Sequence, residues 1–426
     1  MRIVIHSGLV IDPANNIEKV TDIVINDDKI ELVGNANGLS IDKEIDASGL
    51  VVCPGFVDLH THLRDPGFTK KETIETGAEA AVAGGFTTIC CMPNTNPPID
   101  NELVVSYIIN KASSINICDI HPIGAITRNQ EGKQLCNYLS LKSAGCIAFS
   151  DDGKPVLDAN LLYTALKYTK DSKDFIFALH EEDYNLSNEG VINDGKVAFE
   201  LGLKGIPSLS ESSMIARDIE ILRAVKDARL HICHVSAKES IELLKNAKKE
   251  GLNITFEVTP HHLALTEEEA YNYNTYAKVN PPLKSKEDVE SIIQAMRLDL
   301  VDAIATDHAP HELDSKNVPI QEASFGISGL ETAFSVVNTY LVKKNIISLF
   351  KAIELLSAKP AKTFKLNAGT LSEGSLANIV LLDARKEWVV DSNNFKSKGK
   401  NTPFNSKTLS GSIEQTIYKG KIVYRR

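Results

Sequence analysis

Between residues 51 and 306, short apolar segments alternate with longer amphipathic ones, and this alternation narrows the choice of fold. The amphipathic segments have the 3.6-residue period of helices, as in 212–227 and 286–297. Eight strand–helix units predict an α/β protein with a (β/α)8 TIM barrel, and an open doubly wound sheet is the alternative. The predicted strands are 51–60, 86–92, 117–125, 146–150, 175–180, 229–234, 253–259 and 301–306.

The two ends of the chain differ from this pattern, because they contain short strand-like runs and turns. Examples are 2–11 and 22–25 at one end and 416–424 at the other. Neither end can bury a core alone, so we expect them to meet in one small β-sandwich domain. The predicted limits are 1–53 plus 366–426 for this domain and 54–365 for the barrel. The polar stretch 392–406 is expected to be a surface loop.

Composition excludes several classes of protein. The chain has 426 residues, of which 43% are hydrophobic and 24% charged, as in ordinary globular proteins. Its net charge of −10 argues against nucleic acid or an anionic membrane as the main partner. No apolar run is long enough to span a membrane, and the first residues read as a strand rather than a signal peptide. Seven cysteines, mostly in apolar runs, fit reduced core thiols and predict a cytoplasmic protein.

A pair of histidines ends the first predicted strand, in the sequence DLHTHLRDPG. His60 and His62 are two positions apart, so their side chains point the same way from a strand. Such a pair alone is more often a surface or hydrogen-bonded pair than a metal site. Its place at the end of a buried strand, directly before Arg64 and a Pro-Gly turn, favours a functional role.

Polar residues also end four other predicted strands. These strand ends share one face of a barrel, so their side chains could reach a common centre. Imidazole and carboxylate are ligands of Zn²⁺, and an Asp that bridges two cations would help neutralise them. His231 and His234 point to opposite faces of one strand, and we assign His234 to the centre because it is nearer the strand end. The candidate residues are Asp151, Asp152, His180, His234, Asp307, His308 and His311.

Arg64 and two asparagines are candidates for binding a substrate. Asn94 and Asn280 each stand in a proline-rich turn after a strand, where they could equally be structural. Beside a metal pair, however, a guanidinium and two amides would hold a carboxylate and a ureide.

Motifs along the chain resemble those of the amidohydrolase superfamily and, within it, of the type I bacterial dihydroorotases. The resemblance extends over essentially the whole chain. A carboxylated lysine bridges the metals in many relatives, including hydantoinases and allantoinases, and no lysine ends the fourth strand here. Two departures are Glu181, where cysteine is expected, and the absence of a glycine near 406. In order from residue 54 to 332 the motifs are PGFVDLHTHLRDPG, AGGFTTICCMPNTNPP, AFSDDG, HEED, HVS, NPPL, ATDHAPH and FGISGLET.

The resemblance implies a role for each residue at these strand ends. Two Zn²⁺ ions per subunit are expected, with Asp152 as the bridge and Asp307 also serving as the proton shuttle. The implied metal ligands are His60, His62, Asp152, His180, His234 and Asp307. The implied substrate-binding residues are His62, Arg64, Asn94, Asn280, His311, Phe325 and Gly326, and the polar segment 312–324 is expected to form a mobile lid.

The implied reaction is the reversible cyclisation of N-carbamoyl-L-aspartate to L-dihydroorotate and water, a step of de novo pyrimidine biosynthesis. Attack by a metal-bound hydroxide on the ring amide is expected. A homodimer and association with aspartate transcarbamoylase are further implications. Two alternatives stay open: another cyclic amidohydrolase of the hydantoinase or allantoinase type, and a catalytically silent partner of the transcarbamoylase.

Overall fold

The structure, a computed structural model, describes residues 1–172 and 174–426. Its centre is a ring of eight parallel strands, called barrel strands 1 to 8 in chain order. All eight correspond to predicted strands, although most are shorter than predicted. Their bounds are Phe56–Thr61, Phe86–Cys91, Asp119–Pro122 with Gly124–Ala125, Phe149–Ser150, Phe177–Leu179, Leu230–Ile232, Ile254–Val258 and Ala303–Ile304.

Two features complete the ring. Barrel strand 3 is divided at Ile123, so its first half pairs with strand 2 and its second half with strand 4. Strands 1 and 8 meet through a parallel bridge between Thr61 and His308. Below that bridge the buried Asp58 carboxylate accepts hydrogen bonds from the backbone N–H (3.0 Å) and the hydroxyl (2.5 Å) of Thr306. The predicted (β/α)8 barrel is therefore confirmed, and the open sheet is excluded.

Helices surround the strands, and several of them begin at a side-chain cap. Ser285 caps the helix Lys286–Arg297, since its hydroxyl accepts from the N–H of Asp288, whose carboxylate accepts from the Ser285 N–H. Thr73 likewise caps the start of the helix Ile74–Ala83. The others are Glu102–Ile115, Tyr138–Ala144, Ala159–Thr169, Tyr184–Ser187, Lys196–Leu201, Ser208–Ala224, Lys238–Lys249, Pro260–Ala264, Ala333–Val337, Leu349–Leu356 and Ala358–Phe364.

The two ends of the chain build two sheets that share a small apolar core, including Ile5, Ile23, Val52 and Leu381. This confirms the predicted β-sandwich, while the limits 53/54 and 365/366 stay predictions. One sheet has the order Lys29–Gly34, Asp22–Asn26, Arg2–His6 and Lys43–Asp46. The other has the order Lys421–Arg425, Thr408–Tyr418, Ile379–Val389, Val51–Pro54, Leu9–Asp12 and Ile17–Val20.

The predicted strand 51–60 is in fact two strands. Val51–Pro54 belongs to the sandwich, and Phe56–Thr61 is barrel strand 1. Gly55 separates them and packs so closely on Thr87 that a Cβ there would lie 2.0 Å from Thr87 Oγ1. One continuous apolar run in the sequence therefore contains two strands that belong to different sheets.

Three smaller expectations can be compared with the structure. All seven cysteines are free and buried. In the part of the chain that is described, no helix combines the length and apolarity needed to cross a membrane. Ser406, near which the resemblance leads us to expect a glycine, has a φ of +64°, a left-handed conformation that glycine adopts more easily.

Candidate active site

Asp152 lies at the centre of a buried cluster, with its two oxygens facing different pairs of histidines. Oδ2 is 3.3 Å from His60 Nε2 and 3.4 Å from His62 Nε2. Oδ1 is 3.2 Å from His234 Nε2 and 3.5 Å from His180 Nδ1. A carboxylate placed in this way can ligate one cation through each oxygen, so its geometry fits a bridging ligand.

Asp307 completes the side of the cluster formed by the first strand. Its Oδ1 is 3.0 Å from His62 Nε2 and 3.5 Å from His60 Nε2. The backbone of Asp307 has a φ of +46°, and His234 and Arg64 have φ values of +35° and +59°. Left-handed backbone is uncommon for residues other than glycine, and such strain is concentrated at functional sites.

Outer hydrogen bonds set the orientation of three of the four central histidines. In each case the ring nitrogen that faces away from Asp152 lies within hydrogen-bond distance of a side-chain oxygen, which leaves the inward nitrogen free as a ligand. The pairs are His60 Nδ1 with Glu257 Oε1 (2.7 Å), His62 Nδ1 with Asn94 Oδ1 (2.9 Å) and His180 Nε2 with Glu182 Oε2 (3.2 Å).

The charge of the cluster calls for cations. Burial raises the pKa of each of four carboxyls, but the surrounding imidazoles outweigh burial. They hold the pKa values of Asp152 and Asp307 well below their usual range and lower those of Glu182 and Glu257 to about 2. Although burial opposes it, these carboxylates in turn raise the pKa of His60 well above its usual range and that of His180 to about 10. The four ionised carboxylates therefore favour positive charge at their centre, which a bound cation can supply.

The donor atoms also fit a metal centre. The ligand atoms of His60, His62 and Asp307 lie within 4.8 Å of one another, as do those of His60, Asp152 and His234. His60 Nε2 is buried and makes no hydrogen bond to any described residue. Imidazole and carboxylate donors of this kind suit Zn²⁺.

A cavity of about 230 Å³ opens above the cluster at the C-terminal ends of the barrel strands. The structure brings eleven of the twelve predicted site residues to its wall, and the twelfth, His60, lies buried beneath them. The wall is formed by His62, Arg64, Asn94, Asp152, Gly153, His180, His234, Asn280, Asp307, Ala309, His311, Phe325 and Gly326.

Arg64 brings positive charge to the cavity. Arg64 Nη2 lies 3.4 Å from His311 Nε2, and Arg64 Nε is buried without a hydrogen-bond partner in the described residues. Burial lowers the pKa of Arg64 to about 10, so it stays charged at neutral pH. Burial and Arg64 together lower the pKa of His311 to about 2, so this imidazole is neutral. The arrangement offers a fixed cation and a neutral imidazole to an anionic group.

The two predicted asparagines each have one side-chain atom engaged with a residue of the cluster around Asp152. Asn94 Oδ1 pairs with His62, and Asn280 Nδ2 donates to Glu182 Oε2 at 2.8 Å. Both also line the cavity. Each can therefore hold a cluster residue and present its remaining atoms to a ligand.

Glu257 and Glu182 are site residues that sequence reasoning missed. Glu257 lies in barrel strand 7 and joins His60 to His231, whose Nε2 is 3.0 Å from Glu257 Oε2. The available signal was a single charged residue in an otherwise buried strand, since such a charge needs a partner. Glu182 could have been found as the second acid of the HEED motif.

Other polar residues near these motifs face away from the cluster. His262 is held by Thr259 Oγ1 (2.8 Å) and the carbonyl of Pro281 (3.0 Å). Glu181 is buried beside Asp218, and burial together with that neighbour raises its pKa well above the usual range.

The segment 312–324 is attached to the barrel by two buried lysines. Lys278 Nζ donates to the carbonyls of Ile320 (2.8 Å) and Gln321 (3.1 Å). Lys316 Nζ donates to the carbonyls of Thr275 and Lys278, each at 3.1 Å. A role as a mobile lid stays a prediction for this segment.

Comparisons with known proteins identify relatives of this chain. Residues 49–240 match a family model described as Dihydro-orotase-like. A dihydroorotase of Caldanaerobacter subterraneus subsp. tengcongensis is 49% identical over 426 residues, covering 100% of this chain and 98% of the relative. A dihydroorotase of Syntrophus aciditrophicus is 45% identical and covers 100% of both chains.

Solved structures support the fold. An L-hydantoinase from Arthrobacter aurescens superposes with a TM-score of 0.89 at 24% identity, covering 99% of this chain and 96% of that one. At this level of identity the likeness establishes the architecture alone. The identities of 45% and 49% over the full length go further, and the chain belongs to the dihydroorotase family.

Proposed function

We propose that the protein catalyses the reversible cyclisation of N-carbamoyl-L-aspartate to L-dihydroorotate and water. The observation that carries this proposal is the position of Arg64 in the same cavity as the cluster centred on Asp152. The cluster suits activation of a carbonyl and a water molecule, and the guanidinium suits a substrate that bears a carboxylate. Family membership supports the same reaction.

The metal centre is proposed to hold two Zn²⁺ ions. His60, His62 and Asp307 would hold one ion, His180 and His234 the other, and Asp152 would bridge them. When bound, these ions would polarise the scissile carbonyl and lower the pKa of water from about 15.7 toward 7.

Asp307 is proposed to move the proton. In the hydrolytic direction a bond forms between a water oxygen and the ring amide carbon, and the bond from that carbon to the ring nitrogen breaks. Asp307 accepts one proton of the water and delivers it to the departing nitrogen. Its low pKa keeps the carboxylate ionised at neutral pH.

Residues on the opposite wall are proposed to orient the substrate. Arg64, Asn94 and His311 would hold the substrate carboxylate, while Asn280 and the backbone at Phe325 and Gly326 would contact the edge of the ring. Such positioning lowers the entropic cost of bringing the amide to the water. Homodimerisation and association with aspartate transcarbamoylase stay predictions.

The test of this function combines an ultraviolet assay of L-dihydroorotate with metal analysis. The purified protein should interconvert L-dihydroorotate and N-carbamoyl-L-aspartate and should contain about two Zn²⁺ per chain. Removal of metal by a chelator should abolish turnover, and added Zn²⁺ should restore it. Hydrolysis of hydantoin or allantoin without any turnover of dihydroorotate would instead favour the other cyclic amidohydrolases, and metal-free protein without activity would favour the silent partner.

Arg64→Met is expected to weaken the use of the carboxylate-bearing substrate. Loss of charge-assisted hydrogen bonds worth about 1.5–3 kcal/mol should lower kcat/KM for L-dihydroorotate by about 10- to 150-fold. Arg297→Met is the control, since Arg297 is exposed at the end of an outer helix. An equal loss with a neutral cyclic amide such as dihydrouracil would argue against recognition of the carboxylate by Arg64.

A further inference from the structure

The C-terminal loop, residues 395–404, leaves the small domain and packs on the active-site end of the barrel. The sequence suggested a surface loop here, but Asn401 is fully buried. Its Oδ1 accepts from the backbone N–H of His311 and from Ser328 Oγ, both at 2.9 Å. Its Nδ2 donates to the carbonyls of Ala309 and Gly326, both at 3.0 Å. The amide therefore uses all four of its hydrogen-bonding positions.

These four partners lie on two separate segments of the cavity wall. Ala309 and His311 follow barrel strand 8. Gly326 and Ser328 belong to a later segment that lies beside the end of that strand. Three of the four, His311, Ala309 and Gly326, line the cavity. Asn401 itself does not line the cavity. Any effect of Asn401 on a bound substrate must therefore be transmitted by the wall residues that it holds.

Close packing holds the loop in this place. A Cβ added at Gly399 would lie 2.4 Å from Pro310 Cβ, so the loop backbone approaches the 309–311 segment as closely as glycine permits. Nearby, Ser397 Oγ contacts the buried carboxylate of Glu72, and the Ser397 N–H donates to Glu331 Oε1 at 3.1 Å. The position of Asn401 is therefore determined by the fold around it.

We propose that Asn401 is a positioning residue that fixes the spacing between His311 and Gly326 across the substrate cavity. This inference rests on the proposed function, in which His311 holds the substrate carboxylate and Gly326 the ring edge. Buried groups that lose a partner tend to move until they are satisfied again. The two segments also pair directly, since the N–H of Ala309 donates to the carbonyl of Ile327 at 2.9 Å. Loss of the amide would therefore loosen the wall beyond that pairing, at His311 and Gly326, and the substrate would bind less tightly.

Asn401→Asp tests the proposal with a small change in shape. The new carboxylate would place an oxygen against the carbonyls of Ala309 and Gly326, where Nδ2 now donates. We expect the KM for L-dihydroorotate to rise by about 10- to 100-fold, with kcat within about threefold of wild type and zinc content unchanged. If this variant does not fold, Asn401→Ser takes its place. Serine keeps a hydroxyl but lacks the amide that joins the two wall segments.

Thr402→Val is the matched control. Thr402 is the next residue, is also buried, and its hydroxyl accepts only a local hydrogen bond, from the N–H of Phe404 at 3.3 Å among the described contacts. We expect this variant to lose some stability and to keep the wild-type KM. A wild-type KM in Asn401→Asp, or the same rise in KM in Thr402→Val, would overturn the proposal.

Hydrogen–deuterium exchange separates this proposal from the proposed function. In Asn401→Asp, peptides that cover 309–311 and 326–328 should exchange faster than in wild type and in Thr402→Val. Unchanged exchange in these peptides would contradict the positioning role of Asn401, whatever the activity of the variant. If the wild-type protein does not turn over dihydroorotate, the proposed function is wrong. The exchange rates of the two wall segments then test the positioning role of Asn401 by themselves.

Discussion

Asp307→Asn is expected to lower kcat for L-dihydroorotate by about 10²–10⁴-fold while the fold stays intact. An amide cannot accept the proton of the attacking water at neutral pH, and it is a weaker ligand than the carboxylate beside His62. The ultraviolet assay gives kcat, and circular dichroism with thermal unfolding reports the fold.

Asp302→Asn is the control for this variant, because Asp302 lies just before the same barrel strand, at the opposite end. Its carboxylate accepts from the backbone N–H of Phe256 at 2.9 Å and contacts Lys248. Residues at that end of a barrel support stability rather than chemistry, so kcat should stay near wild type while Tm falls. Near-normal turnover in Asp307→Asn would disprove the proton-shuttle role.

Asp152→Asn should show the second large effect, on metal content as well as on rate. With one anionic oxygen lost from between the two pairs of histidines, the zinc content should fall from about two per chain to one or fewer. Since bound metal supplies several kcal/mol of transition-state stabilisation, kcat should fall by about 10³-fold. Metal analysis by mass spectrometry, together with the assay, measures both.

Asp151→Asn provides a control only one residue away. Asp151 is also buried, but it accepts from the N–H groups of Ile126 (2.8 Å) and Thr127 (3.0 Å), which fastens barrel strand 4 to strand 3. Its substitution should lower the free energy of unfolding and leave the zinc content unchanged. If both variants kept two zinc ions, or both lost them, the bridging role of Asp152 would be wrong.

Much of the fold could be predicted because its signals are local. Apolar runs separated by amphipathic helices are visible in the sequence, and so are polar residues at the ends of those runs. The strand transfer at Gly55 was not visible, because one long apolar run serves two sheets. The break between the two strands depends on the close contact of Gly55 with Thr87. Thr87 is 32 residues away, so local sequence patterns do not reveal this contact.

The same difference between local signals and long-range contacts applies to the candidate site. His60, His62 and Asp307 stand at strand ends, so the barrel prediction alone brings them to one face. Glu257 is hidden inside its strand, and its partner His60 is 197 residues away. Asn401 lies in a polar stretch that resembles a surface loop, and only its buried contacts reveal its place. Residues that act through long-range hydrogen bonds leave little trace in local patterns.

The ligand set also has a consequence for how the protein is made. His62 and Asp307 are 245 residues apart in the chain, so a nascent polypeptide on the ribosome holds only a partial set until the last barrel strand has emerged. Asn401 follows His311 by a further 90 residues. Because metal affinity requires all ligands in place, tight capture of the proposed zinc ions should come only after the last barrel strand has been synthesised.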